Sequence, residues 1–157
     1  MKAASIKELK LELNIRSQKD LIELCMRLSK FKKENKELLS YLLFEEGDEA
    51  SYIKNVKAEI KDEFKLINTA SFFYIKKSVR KILRNVKKYI KYSKKKETEV
   101  ELLMYFCYEF KNTVPYIKKN ITLDNIYKRQ IEIIIKAISF LHEDLQYDYS
   151  LEIKALI

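Results

Sequence analysis

The chain has 157 residues, enough for one domain with a buried core, and carries a formal charge of +9. A single Gly (Gly47) and a single Pro (Pro115) exclude Gly-rich phosphate loops and folds made of many tight hairpins. With 47% hydrophobic and 35% charged residues, the composition points to a soluble all-α domain spanning residues 1–157.

Helical signals follow one another along the chain. Ser5 with Glu8 three residues on is a capping box, and it predicts a first short helix from Ile6 to about Asn14. Ser17 with Asp20 opens a second, whose Leu21, Leu24, Cys25, Leu28 and Phe31 recur at helical spacing. The polar run Lys32 to Lys36 reads as a turn or kink before a third helix through Leu38, Leu39, Leu42 and Leu43. Gly47-Asp48 is expected to end that helix and cap a fourth, which reaches about Asn68 with Ile53, Val56, Ile60, Phe64 and Ile67 buried. A fifth runs from about Ser71 to Tyr92, and Lys94 to Lys96 form the next turn. A sixth opens at Glu97 or Thr98 and ends near Asn112, with Pro115 in the connection that follows. Thr122 caps a long seventh helix, and a short tail follows Tyr149. The seventh is apolar over more than half its circumference, so it is expected to be central in the fold or open to a partner.

These six or seven helices pair as consecutive antiparallel hairpins, an arrangement that closes either as an α-α superhelix or as a compact bundle. Over residues 17–147 the pattern resembles HEAT or armadillo-type helical hairpins, which implies a curved solenoid that binds protein partners. Residues 5–13 (SIKELKLEL) followed by 19–28 (KDLIELCMRL) resemble the SAP-type helix–turn–helix, a resemblance that implies DNA binding.

The charge is concentrated in one place. Residues 69–96 hold eleven positive and no negative side chains, while the segments on either side are close to balance. On a helical wheel of the fifth helix, Ile75, Val79, Ile82, Leu83, Val86 and Ile90 fall in an arc of about 100°. Lys76, Lys77, Arg80, Lys81, Arg84, Lys87, Lys88 and Lys91 fill an arc of about 140° opposite, with Tyr74, Tyr89 and Tyr92 at the border. Like charges at i,i+4 repel, and no acid within the helix offsets them. Three readings follow. The cations pair with Glu59, Asp62 and Glu63 of the fourth helix, or they meet an anionic partner, or they lie on an anionic membrane. As a partner site, the face Lys76, Lys77, Arg80, Lys81, Arg84, Lys87, Lys88 and Lys91 with Tyr89 suits an acidic protein. The alternative is a nucleic acid whose unpaired bases stack on tyrosine.

Little else carries chemistry. The longest apolar run, Leu102 to Tyr108, is far short of the roughly 20 residues of a membrane span, and the start of the chain has no signal-peptide core. A cytoplasmic location is the expectation, with Cys25 and Cys107 as free thiols on apolar helical faces. His142, on the seventh helix, reads as structural or exposed, and one His excludes the paired Glu-x-x-His pattern of di-iron bundles. No catalytic residue, metal site or cofactor is expected. The partner is a protein or a nucleic acid, and the apolar seventh helix leaves room for a homodimer.

Overall fold

The computed structural model describes residues 1–157 and contains eight α-helices and no strand. The sequence pattern predicts six or seven helices, and eight form. The chain divides into two compact units, residues 1–44 and 45–157.

The first unit holds α1 (Ile6–Asn14), α2 (Gln18–Phe31) and α3 (Lys33–Ser40). Both expected capping boxes form. The Ser5 hydroxyl and Ser5 N–H both donate to Glu8 Oε2 at 2.7 Å and hold the Glu8 carboxyl below its usual pKa, while Ser5 Oγ accepts from Glu8 N–H at 3.3 Å. Ser17 and Asp20 exchange the same pair of bonds. The break between α2 and α3 is one extended residue, Lys32, and the Asn35 side chain ties it by donating to Leu28 O at 2.8 Å. α3 folds back on α2, but α1 has no substantial packing with any helix. The apolar stripe of α2 is not a core stripe. Leu24, Cys25, Leu28 and Phe31 are exposed, and of the 44 residues only Ser29 and Tyr41 are buried.

A π-helical turn, Tyr41–Glu45, follows α3 in the chain. Gly47 does not take a left-handed conformation; the next helix is started by Asp48, whose side chain accepts from Ser51 N–H at 3.1 Å. The second unit comprises α4 (Glu49–Lys65), α5 (Phe72–Ser93), α6 (Lys96–Thr113), α7 (Ile121–Ile138) and α8 (Glu143–Ile153). α6 is its centre, packing against α4, α5 and α7. It buries side chains around most of its circumference: Thr98, Val100, Leu102, Leu103, Met104, Phe106, Cys107 and Phe110. α7, expected to be central or open, buries one face through Leu123, Ile131, Ile134, Ala137 and Ile138, and leaves Ile121 and Ile135 exposed.

The α5–α6 turn is sharp. Lys94 adopts φ 59°, the left-handed conformation that Gly usually supplies, and its N–H closes on Ile90 O at 2.9 Å. Glu49 stabilises this turn by accepting from Ser93, from Thr98 at 2.6 Å and from Lys95 at 2.9 Å. One carboxylate thereby joins the start of α4, the end of α5 and the start of α6.

The end of the chain departs most from the sequence expectation. Asn120, rather than Thr122, caps α7 by accepting from the N–H groups of Thr122 and Leu123. α7 stops at Ile138, and His142 is not on it. The imidazole is the N-cap of a separate α8, with Nδ1 accepting from Asp144 N–H at 3.4 Å. Residues after Tyr149 are not a free tail, since Tyr149, Ile153 and Leu156 are buried and Tyr127 Oη donates to Leu156 O at 2.7 Å.

The two thiols are separated by their surroundings. Cys25 is exposed, while burial pushes the Cys107 thiol up to about 12. A disulfide-exchange reagent such as Ellman's is therefore expected to modify Cys25 alone in the native protein and both thiols in denaturant. Two reactive thiols in the native state would show that the α6 core is open.

Candidate polyanion-binding surface

α5 is positioned by its apolar side. Ile75, Val79, Ile82 and Val86 are buried and Leu83 and Ile90 half-buried, which turns the opposite side outward. On that side Lys77, Arg80, Lys81, Arg84 and Lys91 are exposed, and Lys76, Lys87 and Lys88 are half-buried. Lys76, Arg80, Arg84, Lys87 and Lys91 form one row of ~22 Å along the helix axis.

The α4 acids that one of the three readings pairs with this face make other contacts. Glu59 accepts from Tyr89 Oη at 2.6 Å, Glu63 accepts from the Asn85 amide at 2.9 Å, and Asp62 pairs with Lys65 at 2.8 Å. Lys76, Lys77, Arg80, Lys81, Arg84, Lys87 and Lys91 make no salt bridge. Neutral α5 side chains donate to two of the three acids, whose charges stay beside the helix without an ion pair to any of these seven cations.

Burial lowers the Lys87 pKa, and the positive charge of Arg129 adds to the effect, with Glu99 opposing it. Arg129, on α7, is exposed and close enough for its charge to act on Lys87. The sequence pattern does not single it out, because it stands between Lys128 and Gln130 in a helix of balanced charge, and only packing brings it near Lys87.

The border tyrosines divide. Tyr92 is buried. Tyr89 is half-buried, with its hydroxyl on Glu59, its ring 6.2 Å from that of Tyr92, and the Lys88 ammonium 5.0 Å from its ring centre. Tyr74 alone is exposed, at the start of the helix.

Concave surface lies on other helices. A groove of about 1180 Å³ runs along α4 and α6, lined among others by Ile53, Lys54, Lys61, Lys96 and Leu141. A smaller pocket of about 430 Å³ beside it is bounded by Lys57, Glu101, Tyr105 and Tyr149. In it Lys57 pairs with Glu101, to which Tyr149 Oη donates at 2.9 Å. Burial pushes the Tyr105 hydroxyl up to about 12, so it is no base at neutral pH. No group of three or more His, Cys, Asp or Glu side chains is placed to hold a metal ion, and no helix is long and apolar enough to cross a membrane. Compared with protein-family models, curated proteins and solved structures, the chain gives no match.

Proposed function

We propose that the protein is a non-catalytic helical interaction module that binds the acidic surface of a protein partner through α5. The observation that carries this reading is that seven cations of one helix lie outside any salt bridge, the α4 acids Glu59, Asp62 and Glu63 contacting Tyr89, Lys65 and Asn85. Self-repulsion along such a row is relieved when carboxylates approach it. The α4–α5 and α6–α7 pairs, each packed as chain neighbours, support a HEAT-like stacking of hairpins as the scaffold in residues 45–157.

An acidic protein is favoured over single-stranded nucleic acid because two of the three border tyrosines are occupied. Tyr92 is buried and the Tyr89 hydroxyl is held by Glu59, so a continuous stacking platform is lacking. The nucleic-acid reading draws its support from Tyr74, which stays exposed in helical register with Lys77 and Lys81.

Fluorescence anisotropy with a labelled poly-glutamate peptide and with labelled single-stranded and duplex DNA distinguishes the two. The peptide is expected to bind and to weaken steadily with salt, because attraction between exposed charges is screened within about 8 Å at physiological ionic strength. Binding of either DNA that is tighter than peptide binding at physiological salt transfers the assignment to nucleic acid. Binding of neither leaves α5 as a solvated face.

A further inference from the structure

The unit formed by residues 1–44 has helices without a core. Thirteen large apolar side chains between Ile6 and Phe44 are exposed, and α1 buries none of its residues. An isolated nine-residue helix is marginal in water, even with a capping box. The apolar residues are also ordered. In α1, exposed Ile6, Leu9 and Leu13 recur at i, i+3 and i+7. In α2, half-buried Leu21 and exposed Leu24, Leu28 and Phe31 repeat the same spacing over ten residues. This is the 3.5-residue period of a seam that packs against another helix of the same kind, narrower than the stripe of a helix laid on a core. Phe31, at its end, is 77% exposed.

We infer that this face is covered by a second copy of the chain, α1 and α2 of each protomer packing seam on seam about a two-fold axis. The surface available is sufficient. The exposed seam side chains Ile6, Leu9, Leu13, Leu24, Leu28 and Phe31 together offer on the order of 700 Å² of apolar area per protomer, near the ~800 Å² that each partner contributes to a standard interface. Charge permits it. Residues 1–47 carry ten positive and eight negative side chains, so two copies meet without the repulsion that would keep two α5 faces apart. An isologous arrangement also needs only a self-complementary patch, which a leucine seam provides. The interface inferred is built from α1 and α2 and does not depend on what α5 binds.

Light scattering coupled to size exclusion tests it on the full chain. The wild type is expected to run at twice the 18.9 kDa of one chain. Leu24→Glu/Leu28→Glu and, separately, Leu24→Lys/Leu28→Lys are expected to run as single chains with unchanged helical circular dichroism, because both side chains are exposed in the protomer. Mixing the two charged variants should restore the double mass, since glutamates then face lysines across the seam. A monomeric wild type overturns the inference, as does an acidic variant that stays dimeric or a mixture that stays monomeric. Hydrogen exchange gives a second reading: protection of α2 in a monomeric wild type would mean that the chain covers this face itself, which also overturns it.

Discussion

Phe64→Ala is expected to lower the unfolding free energy by about 4 kcal/mol. Phe64 of α4 is 1% exposed, and its ring lies 5.5 Å from that of Phe106 and 6.2 Å from that of Phe110, both on α6. Phe110 in turn meets Tyr127 of α7 at 6.0 Å, so the cluster joins three helices of the second unit. Truncation removes the transfer free energy of the ring and leaves a cavity whose walls belong to separate, tightly held helices. Relaxation into that space is therefore limited, which places the cost in the upper part of the usual range. For a unit of this size the midpoint of thermal unfolding should fall by roughly 15 °C. Phe73→Ala is the internal control. That ring is 66% exposed at the start of α5, and its loss should cost under ~0.5 kcal/mol. Urea unfolding of the two variants beside the wild type checks both numbers, and equal destabilisation would mean that the three-helix cluster is not the core.

Reversing Arg80 and Arg84 together to glutamate is expected to weaken binding of an acidic partner by about 10- to 100-fold. Each exposed pair contributes only ~0.2–1 kcal/mol, but a reversal removes an attraction and adds a repulsion of similar size at two positions. Both arginines are exposed and carry no internal ion pair, so the reversal breaks nothing within the fold. It relieves like-charge repulsion along α5, because Arg80 and Arg84 stand four residues apart with Lys76 and Lys87 or Lys88 beyond them. Stability should stay level or rise slightly while affinity falls. If a DNA duplex is the ligand instead, the slope of log affinity against log salt should drop by about 0.9 for each phosphate no longer neutralised. Anisotropy titrations of wild type and double variant across a salt series, with urea unfolding alongside, read both quantities. Unchanged affinity would remove α5 from the binding surface whatever the partner.

Local signals in the sequence are those whose physics is local. Capping boxes at Ser5 and Ser17, the start of α4 at Asp48, and the long amphipathic α5 are decided by residues within one or two turns of each other. The all-helical class follows from the same short-range terms, as does the exclusion of charges from one face of α5. Where the chain stops a helix without Gly or Pro, periodicity runs on through the break. The passage from Ile138 to His142 does this, so the pattern alone merges α8 with α7. Gly47 illustrates the converse, since the left-handed residue of the fold is Lys94, held there by the packing of α5 on α6 and by the Glu49 clamp.

Which apolar stripe is buried was decided only by tertiary structure. The stripes of α2 and α4 look alike as patterns, yet α4 buries Tyr52, Val56, Ile60 and Phe64 against α6 while α2 keeps Leu24, Leu28 and Phe31 exposed. A pattern records that a face is apolar and cannot record what covers it. The same holds for charge. Counting residues shows that α5 lacks acids, but only packing determines that Glu59 meets a tyrosine hydroxyl, Glu63 an amide and Asp62 a lysine of its own helix, and that Arg129 approaches Lys87 from α7. Electrostatic partners are set by distance across helices, which composition and periodicity do not contain, whereas helix identity and the concentration of positive charge are properties of the chain itself.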